Sequence, residues 1–194
     1  MSEKINRKIN SVVFLGDSGF PLGLAGTQRI TLLGRGLIEA GCEVRVICRI
    51  AVWLNNVKTD YTKEGTHEGI QYRYTTDSPF RPDGKIKRLY QRIKGLICEY
   101  FYLRKLNKEK RIDAVILSTM NFDDGLRYKL YSILMGFPIA VNLVEMSTAL
   151  DRRSSFYLKI TDWLMENWLL KRFDGALPIS DQLVEYYIEI APSK

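Results

Sequence analysis

Short apolar runs alternate with stretches of helical period along this chain, and that alternation limits its fold more than any other feature. Ser11-Val-Val-Phe-Leu-Gly16 has the pattern of a buried strand closed by glycine. Gly26 to Ala40 then has helical period, with Ile30, Leu33, Leu37 and Ile38 on one face and Gly41 placed to end it. Glu43 to Arg49 is a second strand. Strand, helix and strand in this order make a βαβ unit, which requires parallel pairing and a right-handed crossover. The alternation continues with a strand at Gly69–Thr75, an amphipathic helix, and a strand at Asp113–Ser118. A helix at Asp124–Met135 is ended by Gly136, and a strand at Pro138–Val144 follows. Ser154–Lys171 is expected to be one long helix with Phe156, Ile160, Trp163, Leu164 and Trp168 on its core face. A short strand at Asp174–Ile179 leads to a helix capped by Ser180 and running to Glu189. Such a series predicts an α/β fold: a Rossmann-like, mostly parallel sheet with helices on both faces. Ala51 to Glu68 is expected to be a polar loop in which the single histidine, His67, is solvated.

Composition narrows this further. The chain has 194 residues, 46% of them hydrophobic, with 6 Pro and 14 Gly, which excludes a disordered or fibrous chain. The length has room for one domain of nucleotide-binding size and not for two. The expected organisation is a polar segment at 1–10, the domain at 11–190, and the start of an interdomain linker at 191–194. Cys42, Cys48 and Cys98 are odd in number and match no metal or redox spacing, so they are read as buried structural thiols and no metal site is expected. Met1 to Asn10 is polar and basic, without the apolar run of a secretory signal. No stretch approaches the ~20 apolar residues of a membrane span. The expected location is the cytoplasm, extended by peripheral attachment to the inner face of the plasma membrane.

The net charge of +7 is unevenly spread. Arg81 to Arg111 holds 11 basic and 3 acidic residues, a net of +8, while the rest of the chain nets −1. A local excess of this kind points to an anionic neighbour. Ile86, Leu89, Tyr90, Ile93, Leu96, Ile97, Tyr100 and Phe101 recur at helical steps and are expected to form the core-packed face of this helix. Lys85, Arg88 and Arg92 fall opposite, with Lys87 and Lys94 on a flank, and these five are the candidate membrane- or anion-facing residues. No zinc-finger spacing, aromatic RNP-like motif or basic zipper accompanies them, so nucleic acid is not an expected partner.

In parallel α/β sheets ligands gather at the C-terminal ends of the strands. The loop after the first strand reads Gly16-Asp-Ser-Gly-Phe-Pro-Leu-Gly-Leu-Ala-Gly26-Thr27-Gln-Arg29. Glycine admits close backbone approach, and a helix start presents free N–H groups to an anion. The spacing is not G-x-G-x-x-G, the second strand ends in Cys48-Arg49 rather than an acid, and no Gly-Lys-Ser/Thr occurs. An ordinary NAD enzyme and a P-loop NTPase are therefore disfavoured.

The run Thr27-Gln-Arg-Ile-Thr-Leu-Leu-Gly-Arg-Gly-Leu-Ile-Glu-Ala-Gly-Cys-Glu-Val-Arg-Val-Ile-Cys48, with the glycine loop before it, resembles the opening of family 4 retaining glycosyltransferases of GT-B architecture. Asp174-Gly-Ala-Leu-Pro-Ile-Ser180-Asp-Gln-Leu-Val-Glu-Tyr-Tyr187 resembles the end of their N-terminal domain. The resemblance implies transfer of a sugar from a nucleotide-sugar donor to an acceptor, with an N-terminal half that holds the acceptor and a C-terminal half that holds the donor. It places Gly23 and Gly26 near the family's glycine pair, and Thr27 and Arg29 where anionic groups can be met. Asn121 stands after the fourth strand, where relatives often place acceptor-binding residues. Glu145 ends a strand and resembles a carboxylate that relatives keep there, a further candidate for substrate binding, and Ser180 faces the region between the two domains. Many relatives carry a His near Asn121, and this chain has none there. It names no catalytic residue here and no resident cofactor beyond the nucleotide-sugar donor of the complete enzyme.

Three functions remain in view. The first is the acceptor-binding domain of a glycosyltransferase acting on a lipid-linked or polysaccharide acceptor. No Glu is followed eight positions later by another, as the family's donor half requires, so a donor-binding domain in cis or trans is an expected partner and the chain alone is expected to be inactive. The second is a non-catalytic peripheral membrane or partner-binding module of the same fold. The third is half of a different nucleotide-binding enzyme, such as a sugar-nucleotide epimerase.

Overall fold

β1 (Ser11–Leu15) is buried along its whole length and pairs in parallel on both sides, with β2 (Glu43–Cys48) and with β5 (Ala114–Leu117). A computed structural model, which describes residues 8–16, 19–53, 60–145 and 155–191, builds the sheet outward from it. With β3 (Glu64–His67), β4 (Ile70–Tyr74), β6 (Ile139–Leu143) and β7 (Gly175–Pro178) the strand order is β3-β4-β2-β1-β5-β6-β7. Every neighbouring pair is parallel except β3 and β4. The fold is thus α/β and Rossmann-like.

Alternate residues of each strand feed two cores. On one face Val12, Phe14, Val44, Val46 and Ile70 meet α1 (Ala25–Glu39) through Ile30, Leu33, Leu37 and Ile38, the face its period predicts. On the other, Val13, Leu15, Val115, Leu117, Ile139 and Val141 meet α2 (Lys85–Lys108) and α3 (Phe122–Met135) through Leu103, Leu106 and Tyr128. The segment after α4 (Phe156–Leu164) joins this core, and α5 (Asp181–Ile190) closes its edge with Tyr187.

Three expectations are corrected. Residues 51–68 are not simply a loop, because β3 forms a hairpin with β4. Glu68 and Gly69 take positive φ of 49° and 80°, the left-handed pair a two-residue turn needs, and Glu-Gly is a weak signal for it. His67 is half-buried, not solvated: its Nδ1 lies 2.9 Å from the Tyr61 hydroxyl and its ring meets Phe20 edge-on. The helix expected over 154–171 stops being α-helical at Leu164. Met165–Leu169 is a π-helical turn and Leu170–Arg172 a 3-10 turn. The expected core face is exposed already before that turn: Phe156, Ile160 and Trp163 on α4 face solvent, Leu164 is half-buried and Trp168 faces outward, while Met165, Leu169 and Leu170 fill the core.

The third correction concerns α2. Its expected core face is exposed: Ile86, Leu89, Tyr90, Ile93, Leu96, Ile97 and Phe101 all face solvent, and only Tyr100 is half-buried. The buried line is instead Gly95, Glu99, Leu103 and Leu106. A charge cluster explains the choice. Glu99 is wholly buried and its Oε1 accepts a 2.7 Å hydrogen bond from the Tyr128 hydroxyl. Arg127 Nε lies 3.9 Å from the other Glu99 oxygen, and Arg127 Nη1 lies 2.7 Å from Asp124 Oδ1. Arg49, at the end of β2, reaches the same Asp124 oxygen at 3.2 Å. Two carboxylates and two guanidiniums cancel, which is what makes burying them tolerable. Burial and the Glu99 carboxylate push the Tyr128 hydroxyl well above its ordinary range, so it remains a donor.

Gly95 completes the seat. A Cβ there would lie 2.4 Å from the Arg49 carbonyl oxygen, and the Gly95 carbonyl accepts a 3.0 Å bond from Thr75 Oγ1. Gly95→Ala should therefore destabilise the fold by about 1–3 kcal/mol in urea unfolding, although alanine is the better helix former. Gly36→Ala, on the exposed side of α1 where a Cβ meets nothing, should stabilise it by about 0.5–1 kcal/mol. Equal effects at the two sites would contradict the seating of α2.

Candidate functional site

Between β1 and β5 the chain reverses its direction of travel across the sheet. β1 leads to α1 on one face and β5 leads to α3 on the other, so the loops part and leave a crevice at the strand ends. The two strand ends stay in contact at its base. Gly16 has φ of 122°, a Cβ on it would sit 3.1 Å from the Ser118 carbonyl carbon, and the Ser118 N–H donates to the Leu15 carbonyl at 2.7 Å.

One wall is the loop into α1. The Phe20 carbonyl accepts from the Tyr74 hydroxyl at 2.7 Å and the Gly19 carbonyl accepts from Trp53 Nε1 at 3.0 Å. The Phe20–Pro21 peptide is cis. Gly23 lies directly on the Thr27 side chain, where a Cβ would fall 2.1 Å from Thr27 Oγ1. α1 starts with neither a capping side chain nor an acid in its first turn, so its own first turn leaves the positive end of its dipole uncompensated.

These parts enclose a cleft of about 860 Å³, in the size range of small-molecule sites. Leu22, Leu24, Ile30, Val52, Trp53 and Val144 give it apolar walls, and Thr27, Gln28, Arg29, Ser118 and Asn142 give it polar groups. Three buried polar atoms on these residues have no hydrogen-bond partner among the described residues: Arg29 Nε, Ser118 Oγ and Asn142 Oδ1. Asn142 is only 5% exposed. The Arg29 guanidinium crosses the crevice to the Leu177 carbonyl, 3.4 Å from Nη2, and burial lowers its pKa from the ordinary arginine value. A fixed donor, a fixed acceptor and a hydroxyl that can serve as either thus converge on one space.

Gly23, Gly26, Thr27 and Arg29, the residues singled out by the resemblance in this stretch, all line this cleft. A side pocket of about 280 Å³ shares Ser118, Asn142 and Val144 with it and adds Thr119, Met120, Asn121 and Glu145. Asn121 is the N-cap residue of α3, with its N–H bonded to Thr119 Oγ1 at 3.2 Å. Ser180 stands on neither pocket; it caps α5, accepting from the Leu183 N–H at 3.4 Å. On α2, Lys85, Lys87 and Arg92 are exposed, Lys94 pairs with Asp77 at 2.7 Å, and Arg88 Nε donates to the Pro82 carbonyl at 3.0 Å. Asp17, Ser18, the stretch 146–148 and the linker at 192–194 lie outside the described residues, as do residues 1–7 and Ser154. Cys48 is buried, Cys42 and Cys98 are half-buried, and none of the three is in a disulfide. Among the described residues no group of three or more His, Cys, Asp or Glu is placed to hold a metal ion.

Sequence reasoning missed Ser118, Asn142 and Trp53. Asn142 had a legible signal, a lone amide inside the apolar run Ile-Ala-Val-Asn-Leu of β6. Its Oδ1 is a desolvated acceptor kept without a partner, which costs roughly 1–3 kcal/mol. Asn142→Leu should recover about 1 kcal/mol or more in urea unfolding. A loss of stability on this substitution would make Asn142 a structural residue and not a ligand group.

Compared by sequence, the chain matches no protein-family model and no curated protein. Among solved structures it is similar to Phytolacca americana UGT2, complexed with UDP-2-fluoro-glucose and pterostilbene, at 12% identity and a TM-score of 0.47. It is also similar to Glycyrrhiza uralensis UGT73P12, complexed with glycyrrhetinic acid 3-O-monoglucuronide, at 12% identity and a TM-score of 0.49. The matches cover 74% and 96% of this chain but only 33% and 48% of those proteins, so the chain spans half their length or less. At this identity and these scores the likeness bears on neither ligand nor activity.

Proposed function

We propose that the chain is the acceptor-binding half of a GT-B glycosyltransferase that moves a sugar from a nucleotide-sugar donor to a saccharide or lipid-linked acceptor. The observation that carries this reading is the cleft at the β1–β5 reversal, where Arg29 Nε, Ser118 Oγ and Asn142 Oδ1 stand unpartnered among apolar walls. A sugar ring has apolar C–H faces and a rim of hydroxyls that donate and accept. The walls suit the faces, and the three polar atoms suit the rim. The uncompensated start of α1 and the Arg29 guanidinium favour an anionic group on the same ligand, such as the phosphate of a lipid diphosphate carrier. Asn121 and Glu145 extend the polar rim into the side pocket.

In this reading the residues of the chain bind and orient the acceptor and exclude water from one side of it. Arg29 holds the anionic end and Asn142 accepts from a sugar hydroxyl. The donor is held by a second domain, in cis or trans, which would close over the strand ends. The sequence contains no Glu-x7-Glu pair, in keeping with a donor site supplied from elsewhere.

Calorimetric titration with mono- and disaccharides, lipid diphosphate-linked sugars, UDP and GDP tests the assignment. A saccharide or lipid-linked sugar should bind more tightly than either nucleotide. Arg29→Ala or Asn142→Ala should each weaken that binding about tenfold, the worth of one buried hydrogen bond to a charged or fixed partner. The 194-residue chain should show no turnover with nucleotide sugars. Nucleotide binding tighter than that of any saccharide, or robust turnover by this chain, would overturn the reading.

A further inference from the structure

α2 presents its apolar side to solvent and its polar glutamate to the core, the reverse of an ordinary surface helix. Ile86, Leu89, Tyr90, Ile93, Ile97 and Phe101 are between 49% and 86% exposed. At 3.6 residues per turn they form one ridge on the side away from Gly95, Glu99 and Leu103. Lys87 and Lys105, both exposed, flank that ridge on one side, and Arg104 and Lys108, also exposed, stand in line with it toward the C-terminal end of the helix. The segment 81–111 nets +8, and one of its three acids, Glu99, is buried beneath the helix. The other side of α2 is committed to the charge cluster and to the Arg49 carbonyl, so the ridge cannot be turned inward without breaking them.

We propose that this ridge docks α2 lengthwise on an anionic phospholipid surface, with the apolar side chains among the upper acyl carbons and the flanking cations at the headgroups. An exposed apolar strip edged and continued by exposed cations is the pattern of an interfacial helix. Three chemistries could cover the ridge, and the charges separate them. A second copy of this chain would bring Lys87, Arg104, Lys105 and Lys108 against the same cations of its partner copy. Nucleic acid would satisfy the cations and leave Ile86, Ile93 and Ile97 in water. An anionic bilayer satisfies both sets. Attachment rather than insertion follows, since no helix among the described residues is long and apolar enough to cross a membrane. The inference rests on the exposure of α2 and not on the ligand of the cleft, so either can fail alone.

Co-sedimentation of the 194-residue chain with vesicles of equal parts phosphatidylglycerol and phosphatidylcholine tests it. Binding is expected to these vesicles, to fall as salt rises, and to be far weaker to pure phosphatidylcholine. Each of Lys87→Gln, Arg104→Gln and Lys105→Gln should weaken it roughly fivefold. Leu89→Asp with Ile93→Asp should abolish it while leaving the far-ultraviolet circular dichroism and the urea midpoint unchanged, because both side chains are exposed. No binding at low salt would overturn the proposal. So would binding that survives the double aspartate variant, or sedimentation equilibrium showing a dimer that this variant dissociates.

Discussion

Everything in this molecule is arranged around the hydrogen-bonded, two-sided burial of β1. A strand paired in parallel with β2 on one side and β5 on the other must send its chain out at one end of the sheet, and so must β5. Their helices go to opposite faces, and the loops between them separate. The Leu15–Ser118 hydrogen bond and the close approach at Gly16 hold the floor of the resulting crevice shut, and α1 and the Trp53-anchored loop raise one wall. A cleft at this point is a consequence of topology. What the sequence adds is its lining, and there it departs from the rule that buried polar atoms are paired.

A second departure lies on the far face. Glu99, Tyr128, Arg127, Asp124 and Arg49 form one buried chain of charged and hydrogen-bonded contacts from α2 through α3 to the end of β2. Such a cluster contributes little net stability, but removing one member leaves the others stranded. It therefore acts as a register for α2, fixing the rotation of the helix about its axis. The apolar ridge faces outward because the inward side is already taken.

How much of this could be read from the chain varies with the kind of signal. The strands and α1 follow from local period and from glycine stops at Gly41 and Gly136, so the α/β class and most boundaries were legible. The grouping of Gly23, Gly26, Thr27 and Arg29 was legible because they are close in sequence. Ser118 and Asn142 come from strands far along the chain and meet Arg29 only through the sheet, which no local pattern reports. The orientation of α2 was misread for a related reason. Periodicity shows that apolar residues share a side, but a buried Glu99 and a Gly95 in contact with the Arg49 carbonyl decide which side turns inward. The outward face of α4 was misread in the same way, and the π-helical turn at Met165–Leu169 adds a change of pitch invisible to a fixed period.

The central claim is that the unpartnered atoms at the β1–β5 reversal receive the hydroxyls of a saccharide. Backbone and side-chain amide shifts, followed by NMR during titration with a saccharide acceptor, test it most directly. The account predicts that the largest changes fall on residues 19–30, on Ser118 and on the Asn142 side-chain amide, with α2 unaffected. Changes centred on any other surface, or none at these residues at saturation, would contradict it.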